Sequence, residues 1–235
     1  MNLGLGLGLG FGSHPASGGP TPPTTNLLSQ FDPSAANASG WTDAKGANTL
    51  TASAAGITTA TDLAGQKVVV FPGTAHYGVA AASGLSGGAI TIATVVKTSS
   101  AGTKGLVSLS DGAINMSAFG THLGKDDIID LVIGESDGTV TINDGAWRFF
   151  MLVANKNTPH AANLYVAGVS TPDKTVANAC GVGNFGFYIG GDPTRNGDVA
   201  CSVGMTLVYA ADYSSDLTSR QAIYSYFRTL YNNLV

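Results

Sequence analysis

Few side chains in this 235-residue chain are equipped for chemistry, and their spacing limits what they can do. Glu135 is the single glutamate, so a carboxylate pair would have to be made mainly of aspartates. Gly84-Leu85-Ser86-Gly87-Gly88 carries the letters of a nucleophile elbow, which holds its serine at a strained strand-to-helix turn. A strand pattern follows at Ala89–Val96, so Ser86 reads as a loop residue. Gly181-x-Gly183-x-x-Gly186 carries the dinucleotide letters, but that motif needs a helix start behind it to meet a pyrophosphate. The strand-like FGFYIGG follows instead, and no cofactor is expected. Asp126, Asp127 and Asp130 form one group of oxygen ligands, and Asp192, Asn196 and Asp198 another. Neither has a calcium-loop spacing, and Asn196-Gly197 is an ordinary hairpin signal, so no metal site is predicted. His14, His76, His122 and His160 share no zinc spacing and read as loop or edge residues. Cys180 and Cys201 are the only cysteines, too few for a disulfide framework, and both read as buried and reduced. A saccharide could stack on Trp41, Tyr77, Tyr165 or Trp147, although the apolar run around Trp147 places that residue in a core.

Composition narrows the classes further. Lys and Arg number 11 and Asp and Glu 15, about half the usual charged share, while glycine fills 32 positions. That balance excludes a coiled coil, a helical bundle and a charged disordered tail. A net charge of −4 without a basic cluster argues against nucleic-acid binding. No apolar run is long enough to span a membrane, and the first basic residue is Lys45, so no secretory leader is expected.

Three zones position these side chains. Residues 1–12 alternate Leu and Gly, residues 13–25 are Pro-rich and read as a linker, and residues 26–235 hold short β-like segments. Ile90, Ile92, Thr94 and Val96 alternate cleanly with Thr91, Ala93 and Val95. Further strands are predicted at Lys67–Phe71, Gly105–Leu109, Ile128–Ile133, Thr139–Ile142, Leu164–Val166 and Phe185–Ile189. Ala200–Ala210 is another, with Val203, Met205, Leu207 and Tyr209 on one face. Trp147–Ala154 is apolar at nearly every position and should be covered on both faces. Phe185–Ile189 and Ala200–Met205 could pair as a hairpin around Asn196-Gly197. Thr218 and Gln221 have capping-box spacing ahead of a helical stripe of Ala222, Ile223, Tyr226, Phe227, Leu230 and Tyr231. The expected fold is all-β: an antiparallel two-sheet jelly-roll sandwich with one C-terminal helix and an extended N-terminal arm.

The order of these segments resembles the concanavalin A-like lectin/glucanase superfamily, in particular laminin-G-like jelly rolls. Trp41-Thr42-Asp43-Ala44-Lys45-Gly46-Ala47-Asn48 is similar to that family's opening motif. Val69-Val70-Phe71-Pro72-Gly73 with His76-Tyr77, and Asn163–Gly168, resemble two of its strands. Gly204–Tyr209, Leu217-Thr218, Tyr226-Phe227 and Tyr231 resemble its close. The resemblance implies glycan binding, a calcium ion in many members and hydrolysis in some. The hydrolases carry two glutamates on one strand, a motif that Glu135 and its neighbours do not form, so no catalytic residues are expected.

The Leu/Gly arm is the remaining feature. Leu3, Leu5, Leu7, Leu9 and Phe11 offer one apolar face that cannot bury enough surface alone, so a partner's sheet edge is the expected seat. Arm, hinge and low-charge jelly roll together resemble bacteriophage virion accessories. The expectation is a non-enzymatic structural virion protein: a capsid decoration, head-fibre or tail-fibre component. It would bind other virion proteins through its arm, most simply as a homotrimer. The alternative is a carbohydrate-binding module for host surface glycans.

Overall fold

Two antiparallel sheets carry the chain. The computed structural model describes residues 21–84, 89–102, 104–110, 116–122, 125–130, 138–155, 161–177, 186–192, 197–232 and 234. The arm residues Leu3 to Phe11 and most of the linker lie outside the described residues, as do Ser86, Glu135, Cys180, Gly181, Gly183 and Asn196.

In the first sheet the order is β14 (Lys174–Ala177), β13 (Ala161–Val166), β12 (Arg148–Asn155), β8 (Ala89–Thr98), β18 (Ala200–Tyr209), β6 (Lys67–Pro72) and β5 (Thr58–Thr61). β1 (Leu27–Phe31) also pairs with β18, beyond the end of β6. The second sheet runs β11 (Lys125–Asp130), β10 (Met116–His122), β9 (Lys104–Ser110), β15 (Gly186–Ile189), β7 (Tyr77–Val79), β4 (Thr49–Ala52), β3 (Gly40–Thr42) and β2 (Ala36–Asn37). A two-stranded ribbon, β16 (Gly191–Asp192) with β17 (Gly197–Asp198), completes the β structure. One helix, α1 (Leu217–Leu230), covers the first sheet.

The expected two-sheet sandwich is therefore present, with more and shorter strands than alternation alone marks. Thr139–Ile142 forms a lone bridge at Thr141 rather than a strand, and β11 begins earlier than the predicted Ile128. The predicted hairpin does not form. Gly186–Ile189 lies in the second sheet and Ala200–Tyr209 in the first, and the turn instead joins the two short strands β16 and β17.

Alternation explains the layers. Ile90, Ile92, Phe150, Leu152 and Ala154 point between the sheets, while Ala93, Val95, Phe149, Met151 and Val153 point at α1. β8 and β12 are thus buried on both faces, as their continuous apolar runs require.

β18 breaks the alternation. Cys201 and Val203 face the inter-sheet core, but so do Thr206 and Val208, while Met205, Leu207 and Tyr209 face the helix. The expectation of one face for Val203 through Tyr209 fails because a bulge lies between Val203 and Thr206, where β18 spends an extra residue against β8. Gly204 sits at that bulge, where a Cβ would overlap Val95 and the end of Tyr231. The displaced Met205 N–H donates to the Tyr231 hydroxyl at 2.7 Å. Tyr231→Phe is expected to leave this buried donor unpaired, at a cost of about 1–3 kcal/mol. Urea titration should show a lower midpoint with an unchanged slope.

The helix start is also corrected. Asp216, not Thr218, is the cap, accepting from Ser219 N–H at 3.0 Å and from the Ser219 hydroxyl at 2.6 Å. Of the predicted stripe, Ile223, Tyr226, Phe227 and Tyr231 are buried, Leu230 is half-buried and Ala222 is exposed. Ser219's hydroxyl and amide hold the Asp216 carboxyl below its usual value. A carboxyl so lowered stabilises the fold above its unfolded-state value and loses that contribution as the pH falls through the folded-state value. Asp216→Ala should therefore narrow its stability gap to the parent protein as a melting series is taken into acid.

Candidate functional site

The four aromatic residues on which a saccharide could stack are all withdrawn from solvent: Trp41 and Tyr77 are 0 % exposed, Tyr165 2 % and Trp147 8 %. Trp41 and Tyr77 fill the inter-sheet core, with the indole N–H donating to Asp32 O at 2.7 Å and the Tyr77 hydroxyl to Asn37 O. Arg220 lies over the Tyr165 ring and Lys97 over the Trp147 ring. All four therefore serve the core, each ring on a core-facing position or beneath a cationic side chain.

The motif that opens at Trp41 is an exposed turn wrapped around a buried carboxylate. Asp43 Oδ1 accepts from the N–H of Gln30 at 2.7 Å and of Lys45 at 2.8 Å, and its Oδ2 from Ala47 and Asn48 at 3.2 and 3.3 Å. Asn48 extends the cluster, donating to Ser29 Oγ at 2.9 Å and accepting from Ser83 N–H at 2.7 Å. Every oxygen has an internal partner, so these residues bind the chain to itself.

Cys201 is buried, and burial pushes its thiol well up. His76 and Asp198 are drawn together, while the side chains of His122, Asp126, Asp127, Asp130 and Asp192 lie outside the described residues. Among the described residues no three His, Cys, Asp or Glu side chains could hold a metal ion. Two cavities of about 360 Å³ occur. One lies among Lys97, Thr98, Ala200 and Ser202, and the other at the gap where β1 and β6 meet beside the bulge. Their aromatic members, Phe71 and Tyr231, are buried.

A different aromatic residue faces out. In β15, Phe187 and Ile189 enter the core, so Tyr188 between them points to the outer face of the second sheet and stays half-buried. Tyr188 and Tyr224 are both aromatic and half-exposed, and the Tyr224 hydroxyl donates to Ala167 O at 2.9 Å. Tyr188 lies flat on the sheet because Gly78 on the neighbouring strand and Gly186 on its own leave room. A Cβ at either position would overlap the ring. His76 makes a T-shaped contact with it, with ring centroids 5.6 Å apart and planes at 76°.

The surroundings fix this group. His76 N–H donates to Ser53 Oγ and Ser53 N–H to His76 O, each at 2.9 Å. The ribbon of β16 and β17 is tied to β9 by Ser108 Oγ, which donates to Gly191 O at 2.9 Å. Val199 N–H closes the ribbon onto Gly190 O at 3.0 Å, with Gly190 at a φ of +84° that glycine alone adopts easily. The ribbon delivers Asp198, whose Oδ1 lies 2.6 Å from His76 Nδ1. The result is a fixed aromatic face flanked by an imidazole and a carboxylate. Such a face can take the C–H side of a pyranose or furanose ring while the polar groups meet hydroxyls. The alternation of Phe185–Ile189 already marks Tyr188 as outward, whereas Trp41, Tyr77 and Tyr165 stand in motif segments whose aromatic side chains enter the core.

No family model matches the chain, and no curated protein sequence matches it. Solved structures do share the fold. Domain 4 of AbnA, a GH43 extracellular arabinanase from Geobacillus stearothermophilus, solved with arabinotriose, aligns over 86% of this chain and 98% of its own at a TM-score of 0.65 and 15% identity. A Trypanosoma rangeli sialidase aligns over 88% of this chain and 33% of its own, at 0.61 and 15%. The binding domain of botulinum neurotoxin DC, in complex with SialylT, aligns over 87% of this chain and 52% of its own, at 0.59 and 8%. These likenesses establish the fold, a β-sandwich.

Proposed function

We propose that this protein is a carbohydrate-binding domain and that Tyr188, with His76 and Asp198, is its saccharide platform. The observation that carries the reading is the half-exposed Tyr188 ring held flat over Gly78 and Gly186. The fold shared with the arabinotriose-bound arabinanase domain supports it. Tyr188→Ala removes the stacking surface without disturbing the core, because the ring rests on the outer face. Loss of a side chain's worth of apolar contact, about 1.5–3 kcal/mol, corresponds to roughly 10- to 150-fold weaker binding. Isothermal titration with the oligosaccharide that a glycan array selects would measure it. Unchanged affinity in Tyr188→Ala would move the site elsewhere.

The platform reading is one of binding without turnover. Incubation with the selected glycan should release no reducing ends. The arm of residues 1–12 supplies a second element, attachment, and a virion accessory displaying this domain is the assembly that such an arm would serve. Deletion of Met1–Gly12 is expected to leave glycan binding intact and to abolish attachment to a larger particle.

A further inference from the structure

We infer that His76 is the specificity-determining residue of the platform, selecting neutral, hydroxyl-bearing saccharides over saccharides that present a carboxylate. The inference rests on the platform reading and extends it to the chemical class of the ligand. Asp198 Oδ1 stands 2.6 Å from His76 Nδ1, and an ionised carboxylate can only accept. The proton of a neutral imidazole is therefore held at Nδ1, and Nε2 is left with a lone pair. No described residue donates to Nε2, and the His76 side chain remains 14 % exposed beside the Tyr188 ring. Asp198 is a positioning residue: it acts on the ligand by fixing the tautomer.

An outward acceptor on this platform discriminates by chemistry. A sugar hydroxyl stacked against Tyr188 can donate to Nε2 and gain a hydrogen bond. A sugar carboxylate brings only acceptor oxygens, meets the lone pair, and lies near the negative charge of Asp198. It loses water without gaining a donor there.

Two measurements on the full chain at pH 7.5 test this. Long-range proton–nitrogen spectra of the labelled protein should show the His76 proton on Nδ1, and Asp198→Asn should mix the tautomers. An Nε2–H tautomer in the parent protein would overturn the inference. Titrations would use a panel of neutral arabino-, gluco-, galacto- and manno-oligosaccharides alongside sialyllactose. The best neutral ligand should bind at least tenfold more tightly than sialyllactose. His76→Phe, which keeps a ring but removes the acceptor, should erase that ratio, whereas Tyr188→Ala should weaken every ligand. If sialyllactose binds as tightly or better and still depends on Tyr188, the inference is wrong and the platform reading stands. If no member of the neutral panel binds, both are wrong.

Discussion

Asp43→Ala is expected to lower the unfolding free energy by about 3–5 kcal/mol, the largest effect of any polar substitution in the second sheet's margin. The carboxylate collects four backbone N–H groups, from Gln30 in β1 and from Lys45, Ala47 and Asn48 in the turn. Alanine strips all four of their acceptor. The turn amides can reach water, so the cost falls below four full penalties, but the Asn48 amide is buried. At about 2–4 °C per kcal/mol for a domain of this size, melting should fall by roughly 10 °C. Asp43→Asn retains one acceptor oxygen and should lose about half as much. A calorimetric shift below 2 °C for alanine would show that the turn holds without its carboxylate.

Arg220→Met should cost a similar amount, about 3–5 kcal/mol, through the opposite charge. Arg220 is 5 % exposed, within the first turns of α1. Its guanidinium donates to Val169 O at 3.0 Å, to Ser214 O at 2.6 Å and to Tyr213 O at 2.5 Å, and it lies 4.8 Å from the Tyr165 ring centroid. One side chain thus joins the helix to the segment after β13 and to the segment after β18. Methionine keeps the packed volume but strips Val169 O and Ser214 O of the guanidinium and leaves Tyr213 O with the Asp216 N–H alone. Hydrogen exchange should rise first in α1 and in residues 167–170, ahead of the inter-sheet core. Exchange that rises uniformly would mean the cation is no local clasp.

Much of this architecture is legible in the residues. The doubly covered strand at Trp147–Ala154, the alternation at Ala89–Val96 and the aromatic stripe of α1 encode the layers through side-chain period alone. What alternation cannot encode is a change of phase. Only the glycine at 204 marks the bulge that turns β18 over, because the acceptor of the displaced Met205 N–H, the Tyr231 hydroxyl, comes from the far end of α1. The helix cap was misplaced for a local reason: Asp216 and Thr218 both suit the role, and the choice depends on where the chain leaves β18. The proposed platform is hidden in the sequence for another reason. Aromatic residues in a low-charge chain are mostly core, and Tyr188 is distinguished only by two glycines, Gly78 and Gly186, of which the first lies far away in sequence.

The pairing of β1 with β18 has a consequence for how the protein comes into being. β18 is the common neighbour of β8, β6 and β1, and it follows all three in the sequence. Until it leaves the ribosome, three earlier strands expose unpaired edges and apolar faces, and the loops to be closed span most of the chain. Folding is then dominated by distant contacts and belongs to the millisecond-to-second regime of β-sandwiches. A chain stalled before Ala200 should collect in the insoluble fraction, and refolding should be slow even where the finished sandwich is stable.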